Sequence, residues 1–304
     1  MTEPVLVTLH NDAGCPWGYS AHPAFRVLEW RYGSQLDWRL VLIGLTEHAQ
    51  QYVERGYTPL RSAEGYVRRF RRFGMPFAPE PRARVVGTGR ACRAVVAARL
   101  LAPGSEWAAF RALQFAWFTT TLLLDEDGGI AQALTGVAGI DVDAVIASID
   151  TPEVEEAYQR DRAEARSADG SPAELQGKTA STDGPIRFTA PSLVFEHAGR
   201  RLVAGGWQTI EAYDVLVANL IPERERRGVP DDPLELLERF PGGLTTQEVA
   251  QLLTRGNDAP DRTGAEAAML SLVATGAATR TQLGDDAIWA APRGSRLMRP
   301  VQGF

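Results

Sequence analysis

Residues 5–10 (VLVTLH) are apolar and partly β-branched, and the run stops at Asn11-Asp12-Ala13-Gly14. A helical pattern opens directly behind that turn. Pro16 leads it, and Trp17, Ala21, Ala24, Phe25, Leu28 and Tyr32 follow at three- and four-residue spacing, with Gly33 as the stop. Residues 36–43 then read as a second strand. This order predicts a parallel β-α-β unit with a right-handed crossover. It also places one cysteine, Cys15, at the junction of the first strand and the first helix.

After Gly56 the pattern changes. Tyr66, Phe70 and Phe73 keep helical spacing, and helices are expected over 87–101, 107–117, 130–137, 142–149 and 152–165. The stretch 167–184, rich in Ser, Gly, Asp and Pro, reads as an exposed loop. Residues 192–196 and 200–204 flank His197-Ala198-Gly199 and predict a β-hairpin. Gly205-Gly206 precedes a helix expected over 208–220. The charged, proline-bounded segment 221–230 (IPERERRGVP) has linker composition. Beyond it come helices expected at 234–240, from Thr245, and at 263–274, then strands at 277–282 and 287–290. Three helices and a hairpin are the ingredients of a winged helix.

The chain has 304 residues, 44% hydrophobic and 23% charged, which fits a globular protein of two or three domains and excludes disorder, collagen and a coiled coil. Two cysteines, Cys15 and Cys92, exclude a disulfide framework and a four-cysteine zinc site, and no metal motif is visible. The first residues lack a basic, apolar leader, and no apolar run approaches a membrane span, so a soluble cytoplasmic protein is expected. Net charge is −6, which argues against wholesale nucleic-acid binding. The charge is uneven. Residues 61–99 hold ten arginines and two glutamates, and residues 125–169 hold twelve acids and three arginines. Either these segments pair with each other, or the basic one guides an anionic substrate. The tail from 231 has ten acids and seven arginines; Arg293, Arg296 and Arg299 follow the second hairpin strand.

In Cys15-Pro16-Trp17-Gly18, proline suits the first helical position and puts Cys15 at the N-cap. Free amides and the helix dipole there are expected to lower the thiol pKa and favour a nucleophilic thiolate. His10 is a candidate for tuning that thiolate, and Asp12 would oppose it. Cys92 reads as a small residue packed on a helix face.

Strand, Cys-Pro-Trp-x, helix, strand, helical block and then Thr189-Ala190-Pro191-Ser192 resemble the DsbA-type thioredoxin fold. That group includes FrnE-like proteins, kappa-class glutathione transferases and 2-hydroxychromene-2-carboxylate isomerases. The resemblance covers roughly residues 4–220. It implies an α/β thioredoxin domain (1–56 and 170–222) with a helical insertion (57–169); the composition and element order beyond it add a linker (223–231) and a winged-helix-like domain (232–304). It implies that Pro191 is the cis-proline beside Cys15 and that the Ala190 backbone aligns a ligand. Pro16, Trp17, Gly18, Ala190, Pro191, Trp207 and Gln208 become ligand-binding candidates, with the helix start at 205–209 receiving a carboxylate. Dithiol members carry a second cysteine where this chain has Gly18. Without it, two-cysteine exchange is not expected. The expectation is thiol-dependent oxidoreductase, isomerase or transferase chemistry on a small molecule, with glutathione or mycothiol as the cofactor and a homodimer left open. The alternatives are a redox-inactive binding protein and a winged-helix DNA-binding regulator.

Overall fold

The computed structural model describes residues 3–292. Strand β1 (Val5–Asn11) ends at the expected turn, and α1 (Pro16–Ser20) begins behind it. The helix expected to continue to Tyr32 breaks at Ala21. Pro23 has no N–H to return to the preceding turn, so α2 (His22–Tyr32) starts afresh. β2 (Leu36–Leu42) lies parallel to β1. Helices α3 (Ala49–Glu54) and α4 (Pro59–Gly65) follow. The next aromatics do not form a plain α-helix: a wide π turn at Tyr66–Phe70 passes into a 3-10 turn at Arg71–Phe73.

Helices α5 (Gly89–Leu101), α6 (Glu106–Thr119), α7 (Asp127–Leu134), α8 (Val142–Ser148) and α9 (Pro152–Ala165) make the helical block. Its apolar faces meet each other, with Phe110, Leu113, Val95 and Ile130 fully buried. The segment 167–184 is largely exposed, as its composition suggests, but it is not all loop. It holds α10 (Pro172–Leu175) and β3 (Thr179–Ala180), which pairs with β4 (Arg187–Phe188). Ala168 and Ala173 are buried with Phe188, Val194 and Val203, so the segment folds back as a cap over the sheet. Small residues at those two positions let the chain lie close to the strands.

Strand β5 (Ser192–His197) runs antiparallel to β1, and β6 (Arg200–Ala204) runs antiparallel to β5. The sheet order is β2-β1-β5-β6. Ala198 (φ 49°) and Gly199 (φ 74°) form the tight turn between the last two, the two positive angles being what a right-twisted hairpin needs. β1 and β5 are the inner strands, and β1 is covered on both faces: Val5, Val7 and Leu9 are buried on one, Thr8 and His10 on the other. α11 (Ile210–Leu220) closes this part, with Thr209 as its N-cap.

The tail contains α12 (Leu234–Arg239), β7 (Leu244–Thr245), α13 (Thr246–Leu253), α14 (Arg262–Ala274), β8 (Thr279–Leu283) and β9 (Asp286–Ala290). Its small sheet has the order β7-β9-β8. The tail shares its core with the rest: Leu236, Val249 and Trp289 belong to the same apolar cluster as Leu9 and Phe25. α13 packs on α2. In that seam Glu248, with no solvent exposure, accepts two hydrogen bonds from Arg111, both at 2.7 Å, and lies 3.5 Å from Arg26 Nε. Glu248 also closes a capping box on the Thr245 N–H. Burial alone would raise its carboxyl pKa, but Arg111 and Arg26 reverse this and hold it far below the usual range. The turn between β8 and β9 points inward. Asp285 accepts from the Phe77 N–H (2.8 Å) and forms an ion pair with Arg71, 2.7 Å from its Nε. Arg293, Arg296 and Arg299 lie outside the described residues.

Candidate active site

Cys15 is the N-cap of α1, with Pro16 in the first position. Its Sγ accepts from the Gly18 N–H (3.4 Å) and its S–H donates to the Ala190 carbonyl (3.3 Å). The Ala190–Pro191 bond is cis. β5 follows Pro191 directly and pairs His10 with Ser192, so β1 and β5 deliver the two halves of the site to one end of the sheet. Ser192 Oγ ties that end together by donating to Thr189 O and accepting from the Gly206 N–H.

The lowered thiol pKa expected from the helix start is not found. Burial pushes the Cys15 thiol up to about 12, the amides of Gly18 and Trp17 oppose this, and the buried Asp12 adds to it. The physical reason is twofold. Cys15 is 5% exposed, and α1 is a single short turn whose dipole ends at Ala21. Asp12 is fully buried and organises the loop before Cys15. It accepts from the amides of Gly14 and Leu45 and from Thr88 Oγ1. Cys92 is not merely a filler on α5, because its S–H points to Asp12 Oδ2 at 3.6 Å. Both thiols are free.

Gly18 is closed to larger side chains. A Cβ built there would lie 1.9 Å from Asn11 Oδ1 and 2.7 Å from Asn11 Cγ. The Asn11 side chain occupies the place that the Cβ of any residue at position 18 would take.

The structure does not leave His10 at the surface. It is 2% exposed and its ring lies 4.5 Å from that of Phe188. Burial keeps it neutral, with a pKa lowered to about 4. None of the groups that principally set the Cys15 pKa is His10. Trp17 is 38% exposed and meets Phe70, Phe73 and Trp207 at ring distances of 5.0, 5.5 and 6.3 Å. Trp207 and Gln208 stand apart from the cavity lining. The amides around them are engaged within the chain: Gly205 N–H with Gln176, Gly206 N–H with Ser192 and Gln208 N–H with Tyr213. That turn is not an open carboxylate cradle, because its donors are already satisfied.

A cavity of about 580 Å³ opens beside Cys15, walled by Trp17, Tyr66, Trp117 and Ala190 among others. Six arginines reach it: Arg61, Arg68, Arg69, Arg82, Arg84 and Arg187; Glu64 and Glu80 are its acids. The uneven charge of the sequence resolves here into two uses. Arg84, Arg90, Arg93 and Arg99 pair across the helical block with Asp125, Asp127, Glu155 and Asp161. Arg61, Arg68, Arg69, Arg82 and Arg187 have no carboxylate partner among the described residues. Arg187 was not singled out from the sequence. Nothing in Ile186-Arg187-Phe188 distinguishes it from a solvated strand arginine.

Among the described residues no helix is long and apolar enough to cross a membrane, and no cluster of three His, Cys, Asp or Glu is placed to hold a metal. No protein-family model matches the chain, and no curated protein matches it significantly. Solved structures do. A candidate protein disulfide isomerase from Nitrosomonas europaea aligns over 72% of this chain and 97% of its own, with a TM-score of 0.53 and 18% identity. A candidate DsbA oxidoreductase from Streptomyces coelicolor aligns over 75% and 94%, with a TM-score of 0.52 and 16% identity. The cytosolic disulfide reductase DsbM of Pseudomonas aeruginosa aligns over 71% and 98%, at 0.49 and 17%. The first two likenesses show the fold: a mixed α/β architecture of the DsbA-type thioredoxin kind. About a quarter of the chain extends beyond it.

Proposed function

We propose that this chain performs thiol-dependent isomerase or transferase chemistry on a small molecule, with Cys15 seating the sulfur of a bound low-molecular-weight thiol. The observation that carries the reading is the state of Cys15. Its thiol is protonated at neutral pH, gives its S–H to Ala190 O, and has no room for a second sulfur at position 18. A protonated thiol is a poor nucleophile but a competent donor. Turned from Ala190 O, the Cys15 S–H donates to a sulfur anion lying along the Ala190-Pro191 edge. The Gly18 N–H, which donates to Cys15 Sγ, polarises that S–H further. When bound, a small thiol supplies the nucleophilic sulfur that Cys15 in its buried state does not. Trp17, Tyr66 and Trp117 give the cavity apolar walls that exclude water from the reacting groups. Glutathione and mycothiol are the thiols to try.

In this reading residues 57–169 are a helical insertion that roofs the site. The order helix, strand, helix, helix, hairpin beyond 231 is winged-helix-like, but used as a clamp. Its hairpin turn grips Arg71 and Phe77. The would-be recognition helix α14 carries only Arg262, and Asp286 holds that residue at 2.7 Å. Both features speak against the regulator.

Calorimetric titration with glutathione and with mycothiol tests the proposal. Cys15→Ser, which keeps a donor, is expected to bind within about threefold of wild type. Cys15→Ala is expected to lose about tenfold, the worth of one hydrogen bond. A persistent mixed disulfide on Cys15 after treatment with glutathione disulfide at neutral pH, read by intact mass, would overturn seating in favour of single-thiol exchange.

A further inference from the structure

We propose that the cavity beside Cys15 contains a carboxylate subsite centred on Arg187, so that its ligand is a small organic acid. This rests in part on the reading above, since it names the class of molecule that the Cys15 cavity would take.

Arg187 is 6% exposed, and no carboxylate lies within ion-pair reach of it among the described residues. Its two terminal nitrogens donate to Phe188 O (3.0 Å) and Thr182 Oγ1 (3.3 Å), and its Nε has no acceptor. The carboxylate whose field favours its charge most, Asp183, is already held by Arg162 and Arg166. A buried, unpaired cation is costly, and folds normally match it or expel it. This chain does neither, and it places that cation on the wall it shares with Cys15 and Ala190. The field of Arg187 reaches the Cys15 sulfur, where it partly offsets the effect of burial.

The surroundings agree. Arg82, on the same cavity, donates only to the carbonyls of Leu122 and Trp117. Arg68 and Arg69 stand exposed at the mouth. A small anion therefore meets a graded path, from solvated arginines to a buried one. Phe188 O and Thr182 Oγ1 take two of the five N–H groups of Arg187, which leaves three without an acceptor. A flat carboxylate matches such a planar fork of donors. The carboxylate would pair with the guanidinium at the cavity wall and bring the rest of the molecule against the Cys15 sulfur.

Two calorimetric titrations test this. In the first, wild type, Arg187→Met and Arg187→Lys are titrated with citrate, which has carboxylates and no sulfur. Wild type is expected to bind, Arg187→Met to bind at least about tenfold more weakly, and Arg187→Lys to fall between, as expected for loss or displacement of a buried charge partner. Equal binding by wild type and Arg187→Met, or no binding by wild type, overturns the subsite. Matching circular dichroism and a cooperative melt confirm that the variants fold. In the second, glutathione is compared with its dialkyl ester, whose carboxyl groups are uncharged. A preference for glutathione in wild type that disappears in Arg187→Met supports the subsite. Equal binding of the two overturns it and leaves the thiol reading standing. Binding of citrate but of neither thiol keeps the subsite and overturns the thiol reading.

Discussion

The α2–α13 seam and the Cys15 cleft both bury arginine, and they treat it in opposite ways. In the seam Arg26 and Arg111 meet Glu248, and Arg26 also meets Glu29 at 2.9 Å. Arg111 NH1 reaches His22 Nδ1, and His22 Nε2 meets Gln114 Oε1. Opposite charges are matched here, and the network ends at Asp12 O, which accepts from Gln114 Nε2. In the cleft Arg187 is buried with no carboxylate, and Arg82 has only carbonyls. Matched buried charge holds two parts of a fold in register. Unmatched buried charge is maintained at a cost to stability, and marks where something else is meant to fit.

Four outcomes would break or sharpen this contrast. The largest effect is expected in the seam. Glu248→Ala strands the buried Arg111 guanidinium and leaves Arg26 to Glu29, and should cost about 3–5 kcal/mol in urea unfolding. A loss below about 1 kcal/mol would mean that the network is not what holds the tail. Acid should act on the same seam. Burial, with Arg111 beside it, keeps His22 neutral with a pKa of about 3, and His10 likewise stays neutral to about 4. The unfolded chain takes up these protons near the ordinary value of 6.5, whereas the fold resists them. Stability is therefore expected to fall as pH drops from 6.5 towards 3, by a few kcal/mol in all. Glu248, whose pKa is depressed, adds its own loss only below the ordinary glutamate value of 4.5. Urea midpoints that stay flat between pH 6.5 and 4 would contradict the neutral burial of both histidines.

The cleft should respond less. Gly18→Cys drives its side chain into Asn11 and is expected to destabilise by about 1–3 kcal/mol without closing a disulfide to Cys15. Asn11→Gly combined with Gly18→Cys should admit the bond, seen as loss of two free thiols on oxidation. The smallest effect carries the opposite sign. Arg187→Met removes an unmatched charge at nearly constant length, and should raise stability by about 1 kcal/mol. A clear loss would mean that Arg187 is structural, like Arg111.

Local chemistry made much of this legible. Pro16 and Gly33 mark the ends of the first helical region, and Thr245 through Glu248 read as a helix start and form a capping box. The positive-φ turn at Ala198-Gly199 sits between two plain strand patterns. What stayed hidden depends on contacts distant in sequence. Arg111 and Glu248 lie 137 residues apart, and Cys92 and Asp12 lie 80 apart; no periodicity reports such pairs. The burial of Arg187 depends on 167–184 folding back over the sheet, and the polar composition of that segment signals the reverse. The Cys15 pKa runs opposite to what its place at a helix start predicts because burial outweighs the Gly18 and Trp17 amides, and burial is set by parts of the chain far from Cys15 in sequence.

Asn11 and Gly18 also set the mutational routes open to this chain. Gaining a second thiol at position 18 requires a change at position 11 as well. Taken alone, the first change meets a clash. The second change alone removes the Asn11 Oδ1 that caps the Asp12 amide. The two positions are thus coupled: a side chain at position 18 and the Asn11 cap on Asp12 exclude each other.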